Sequence, residues 1–209
     1  EHGLLAPVER QDRVLQALAR TPRRRTWDYL VIIAMGLYQG FSAVDAIGPY
    51  EVLTHLLGAD VVICAEHTCL VDDHNDLVHL RVDSTFADVA RPDVLFVPGG
   101  PVTAQYAADG HPIVDWIRQA HPHTAWTTSV CTGALLLGAA GLLNGRIVTG
   151  AGVSAGIDRA LTLATKIAGP EAQCIQLAIE YDPQPPFDAG SPSKAPKPIY
   201  DMAVAALGD

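Results

Sequence analysis

Apolar residues in this chain come in short unbroken runs separated by polar or glycine-rich stretches, and run lengths alternate between those of strands and those of helices. Tyr29-Leu30-Val31-Ile32-Ile33-Ala34-Met35 has no polar interruption, the pattern of a strand buried on both faces of a parallel sheet. Residues 46–57 repeat apolar positions at helical spacing and close on Gly58, with Asp45 just ahead as a candidate cap and Pro49 expected in the first turn. Residues 60–65 read as a second buried strand, so the opening unit is βαβ. Residues 69–86 alternate in polarity around Asp72-Asp73 and Asn75-Asp76, which predicts a hairpin at the sheet edge.

A further buried strand at 93–98 ends in Gly99-Gly100-Pro101, and helices are expected near 102–108 and 113–120. Residues 124–130 form the next strand and pass without a gap into an apolar helix at 131–140. A short strand at 147–149, helices at 154–167 and 171–181, a proline-rich loop at 182–187 and a terminal helix at 198–207 complete the pattern. Alternating strands and helices with no internal repeat predict an α/β fold with a doubly wound, mostly parallel sheet. Residues 1–26 contain a weakly helical stretch at 8–19 and end in Arg23-Arg24-Arg25; they read as a mobile extension ahead of one domain at 27–209.

With 209 residues, 49% hydrophobic and 18% charged, the chain can bury a substantial core and is neither a disordered tail nor a coiled coil. The net charge of −9 is uneven: residues 1–26 hold six arginines against three acids, leaving −12 on the remainder. Such a surface repels polyanions, so nucleic acid is not an expected partner. Cys64, Cys69, Cys131 and Cys174 form neither a CxxC pair nor a disulfide framework, which points to reduced thiols and a cytoplasmic setting. No apolar run is long enough for a membrane span, and the start lacks a secretory core. Eight histidines show no metal-ligand spacing, and the glycines at 150–156 miss the dinucleotide pattern and come too late in the chain, so neither metal nor cofactor is expected. A turn and close helix packing explain those glycines.

In open α/β sheets ligands sit beyond the carboxyl ends of the strands, where this reading brings Asp45, Gly99-Gly100 and Cys131 together. A cysteine on a sharp strand-to-helix turn projects its sulfur outward, and the positive end of the helix favours the reactive thiolate. The alternative is a small buried filler, the reading adopted for the other three cysteines. Asp45 either caps its helix or moves protons opposite the thiol. Gly99 and Gly100 either serve a tight turn or the N–H groups of Gly100 and Thr132 stabilise charge that develops on the substrate.

Three segments, residues 41–53 (Phe41-Ser42-Ala43-Val44-Asp45 onward), Val97-Pro98-Gly99-Gly100 and Thr128-Ser129-Val130-Cys131-Thr132-Gly133-Ala134, together resemble the ThiJ/PfpI superfamily. Asp at 45 and Thr at 132, with the run at 175–192, resemble its isonitrile hydratase branch. The resemblance implies a flavodoxin-like sheet and cofactor-independent hydration of an isonitrile to an N-substituted formamide. It also implies Cys131, Asp45 and Thr132 as catalytic groups, Gly99, Gly100 and Ile47 at the substrate, and a homodimer. In the family, a strand, a helix and another strand follow a Leu-Asn-Gly like Leu143-Asn144-Gly145 before the segment matching residues 147–150; here only Arg146 intervenes. Loss of that strand-helix unit would remove neighbours of Cys131 and leave core exposed. A non-catalytic small-molecule sensor, a different thiol enzyme such as a glyoxalase or protease, and an inactive relative are the competing readings; the absence of histidine after Cys131 counts against the protease.

Overall fold

A computed structural model describes residues 30–142, 147–150 and 152–207, by backbone alone at 147–150 and 206–207. The expected helix at 8–19, the arginine-rich segment and the junction at Arg146 lie outside the described residues. The chain divides into two compact units, one running to Ile179 and a second from Glu180 onward.

In the first unit, β1 (Val31–Gly36), β2 (Ala59–Ala65), β5 (Ser84–Thr85), β6 (Val94–Val97), β7 (Trp126–Val130) and β8 (Ile147–Gly150) form one sheet in the order β5-β2-β1-β6-β7-β8. Every pairing in it is parallel. The unbroken apolar runs are explained by this arrangement: Ile33, Met35, Leu95 and Phe96 are fully buried, since helices cover both faces of such a sheet. The registers Met35↔Phe96 and Val97↔Ser129 bring the carboxyl ends of β1, β6 and β7 level with one another.

Helices α1 (Ala43–Thr54), α2 (Thr103–Asp109), α3 (Pro112–Ala120), α4 (Gly133–Ala139), α5 (Ala155–Ala168) and α6 (Ala172–Ala178) belong to the first unit, and α7 (Lys197–Leu207) to the second. α1 lies against α5. There a β-carbon on Gly156 would stand 3.2 Å from the Pro49 ring, so that glycine serves close helix packing, whereas one on Gly152 would meet nothing within 4 Å. On the opposite approach Phe86 stacks on Trp116 with centroids 4.8 Å apart, and a side chain at Gly36 would collide with that indole. No helix among the described residues is long and apolar enough to cross a membrane.

Several expectations need correction. α1 begins three residues early, so Ser42 is its N-cap and Asp45 lies inside the first turn, its N–H bonded to the Ser42 carbonyl at 3.0 Å. Pro49 is therefore interior, and the Asp45 carbonyl loses the donor that a residue other than proline would supply. The hairpin of β3 (Cys69–Asp72) and β4 (His79–Val82) is a separate two-stranded sheet, and the short β5 takes the edge of the main one. Cys69 and Cys174 are exposed, not core: the first lies on that hairpin and the second on the outer face of α6. Cys64, near the carboxyl end of β2, is buried as expected. The helix expected at 171–181 shortens to α6, preceded by a single 3₁₀ turn at Gly169–Glu171.

Candidate active site

Cys131 ends β7 and precedes α4, and its φ of +53° lies in the left-handed region that non-glycine residues seldom occupy. Such a conformation costs on the order of 1–3 kcal/mol and persists where surrounding packing enforces it. The packing here is visible at Gly133, where a β-carbon would lie 2.6 Å from the Val97 carbonyl oxygen and 2.7 Å from that of Pro98. Glycine lets α4 start directly against the end of β6, and the sharp turn that results presents the sulfur at the strand ends.

Asp45 is fully buried. Its Oδ2 accepts the Gly99 N–H at 3.0 Å, while Oδ1 has no hydrogen-bond partner among the described residues. Burial raises its pKa above the usual carboxylate range; the Gly99 amide, the Cys131 thiol and the His74 ring act in the opposite direction. Gly99 is the meeting point: a β-carbon there would stand 2.7 Å from Asp45 Oδ2, 2.8 Å from the Thr132 nitrogen and 2.9 Å from Cys131 Cβ. Its carbonyl accepts the Ser42 N–H at 2.8 Å, which ties the start of α1 to the end of β6.

Thr132 Oγ1 accepts the Gly100 N–H at 3.0 Å and lies 3.0 Å from the Gly100 carbonyl, to which it donates. The amides of Gly99 and Gly100 are thus held by Asp45 and Thr132. Gly100 also abuts Gly40, whose carbonyl would meet any side chain added there. Asp45, Gly99, Gly100, Cys131 and Thr132 therefore converge, whereas Ile47, 42% exposed on α1, makes none of the contacts that join them.

Three further side chains escaped the sequence reading. Tyr38 is buried, and its hydroxyl donates to the Pro98 carbonyl at 2.6 Å. Burial and the nearby Asp45 and Cys131 raise its pKa above the ordinary phenol value. His74, in the β3–β4 turn, has its backbone N–H on the Phe41 carbonyl at 3.0 Å and lies within electrostatic reach of Asp45. Ser129 is buried on β7 with its Oγ unpartnered among the described residues. Tyr38 follows β1 by two residues, so the rule that places ligands beyond strand ends would have pointed to it; no local signal marks the other two. A separate cavity of about 390 Å³, lined by residues including Glu66, Phe86, Asp115 and Trp116, contains none of these groups. No cluster of three or more His, Cys, Asp or Glu among the described residues is arranged to hold a metal ion.

Residues 31–161 match the DJ-1/PfpI family model. Isonitrile hydratase from Pseudomonas putida is 36% identical over 197 aligned positions, covering 80% of this chain and 86% of that protein. Since 80% of 209 residues is about 167, some 30 of those positions have no counterpart here. A crystal structure of a ThiJ/PfpI family protein from Pseudomonas syringae superposes with a TM-score of 0.80 at 29% identity, covering 89% of each chain. DJ-1beta from Drosophila melanogaster shares the fold, with a TM-score of 0.65 at 18% identity, over 74% of this chain and all of its own. The sheet, the strained cysteine turn and the extent of these matches establish that the chain belongs to the DJ-1/PfpI family.

Proposed function

We propose that the protein hydrates an isonitrile to an N-substituted formamide through a covalent intermediate on Cys131, with no cofactor. The observation that carries this reading is the buried Asp45 carboxyl facing a cysteine held at positive φ, a pairing of proton carrier and nucleophile. The 36% identity to a curated isonitrile hydratase supports the substrate class.

The Cys131 sulfur forms a bond to the terminal carbon of R–N≡C while a proton passes to that carbon, giving the thioimidate R–N=CH–S–Cys131. Asp45 passes the Cys131 thiol proton to that carbon and then, as the carboxylate, takes one from water. Water adds to the thioimidate carbon, the nitrogen is protonated and the C–S bond breaks. R–NH–CHO leaves and the thiol is restored, so one water is consumed and nothing is oxidised or reduced. Thr132 fixes the Gly100 turn against the elbow through its two hydrogen bonds. Gly99 and Gly100 let the turn after β6 close onto Asp45, Cys131 and Gly40 beside the reacting group, and Ile47 contributes an apolar rim for the R substituent.

A homodimer, supported by the resemblance to the family, is part of the same reading. The positions that this chain lacks relative to the P. putida enzyme are assigned to the junction at Arg146. That loss favours a second reading, a non-catalytic or inactive small-molecule-binding relative. Competition for the thiol separates the two: an excess of alkyl isonitrile that occupies Cys131 slows its alkylation by iodoacetamide while leaving exposed Cys69 unaffected, and formamide accumulates. Protection without formamide selects the binding reading; absence of protection counts against both.

A further inference from the structure

Pro98 C=O and Gly99 N–H are the two polar ends of one peptide unit. The carbonyl accepts the Tyr38 hydroxyl at 2.6 Å, and the N–H donates to Asp45 Oδ2 at 3.0 Å. The peptide plane is thus gripped from both sides, and a bond to the carbonyl oxygen strengthens the amide as a donor. Tyr38 is itself fixed. It is buried, Tyr106 packs edge-on at 5.7 Å, and His111 stacks on Tyr106 at 4.1 Å. Gln39, the next residue, bonds through its side chain to the Leu70 carbonyl at 3.1 Å and the Asp72 amide at 2.9 Å, pinning this loop to β3.

We propose that Tyr38 is a positioning residue of the thiol site: through the Pro98–Gly99 peptide its hydroxyl aligns the one backbone amide that orients the Asp45 carboxyl toward Cys131. This rests on the reading that Asp45 and Cys131 are the reacting pair. Tyr38 need not touch substrate to act. Without its hydroxyl the peptide is free to rotate, the Gly99 N–H loses alignment, and the Asp45 carboxylate loses its backbone donor. The titratable groups facing Asp45 are Cys131 on the elbow, His74 on the hairpin turn and Tyr38 itself, so the replacement changes hydrogen bonding without removing a charge.

The test follows the rate of Cys131 alkylation by iodoacetamide against pH, read by peptide mass spectrometry on the full chain, in the wild type and in Tyr38→Phe, Asp45→Asn and the double variant. It does not depend on hydratase turnover. The proposal expects the inflection due to Asp45 to move to higher pH in Tyr38→Phe by a readable fraction of a unit or more, and to be absent from both variants with Asn at 45. Superimposable wild-type and Tyr38→Phe profiles, with an inflection that Asp45→Asn removes, overturn the role of Tyr38 alone. A wild-type profile unchanged by Asp45→Asn overturns the pairing of Asp45 with Cys131, and this inference with it. Tyr38→Leu, which removes the ring as well, controls for packing: its profile must shift in the same direction as that of Tyr38→Phe, and no shift in Leu beside a shift in Phe also contradicts the proposal.

Discussion

Asp45 Oδ2 and the Gly99 N–H meet at 3.0 Å across 54 residues of chain, joining the first turn of α1 to the loop after β6. A carboxyl in this position is buried before it meets substrate, and its pKa is raised chiefly by that burial.

The sign of the pH effect on stability follows. Between the carboxyl's ordinary value and its raised folded value, the native state holds a proton that the unfolded chain has released, so stability falls as pH rises through this interval. Above it, the cost of a buried carboxylate is present in full. Asp45→Asn removes the ionisation and keeps an acceptor for Gly99. The variant is expected to be at least as stable as the wild type at pH 7, with the difference vanishing below the ordinary aspartate pKa. Urea denaturation across that pH range checks it.

Gly99→Ala places a methyl group among three atoms at 2.7–2.9 Å, two of them on Cys131 and the Thr132 backbone. Overpacking of this kind costs about 1–3 kcal/mol, and here it must displace Asp45, Cys131 or the Thr132 backbone. The expected outcome is a lower denaturation midpoint together with loss of formamide production.

Thr132→Val removes the hydroxyl that both accepts from Gly100 N–H and donates to its carbonyl. Because the site is partly exposed, water replaces some of that bonding and the stability loss is expected at about 0.5–1.5 kcal/mol. Activity should fall by a larger factor than stability implies, and Thr132→Ser should recover most of it. Steady-state kinetics beside thermal unfolding separates the two effects.

The four thiols are expected to divide by burial. Cys64 is fully buried, its pKa is pushed up to about 12, and its Sγ contacts the Met35 carbonyl at 3.7 Å. Native-state alkylation should label Cys69, Cys174 and half-buried Cys131 and spare Cys64 until denaturant is added, as mass mapping would show.

The sheet was legible because its strands are buried on both faces, which writes them as unbroken apolar runs; β1, β6 and β7 fall within two residues of the expected segments. The start of α1 was not. Pro49 looks like a first-turn residue from local rules, and only the tertiary bonds of Ser42 and Asp45 extend the helix ahead of it. Cys69 sits in an apolar context that reads as core, yet the hairpin carrying it stands apart from the main sheet. Asp45, Gly99 and Cys131 were legible from their places at strand ends. The pairings that engage the Gly99 and Gly100 amides span 54 and 32 residues and leave no local trace, which is why the Gly100 amide read as open to substrate. Tyr38 stands two residues beyond β1, where the strand-end rule reaches it, but its partner, Pro98, lies 60 residues away and could not be read locally.

Product formation tests the central claim most directly. Folded protein incubated with cyclohexyl isocyanide, followed by NMR of the formyl proton, is predicted to yield N-cyclohexylformamide from the wild type and none above background from Cys131→Ala. No product from the folded wild type, or undiminished product from Cys131→Ala, would contradict it.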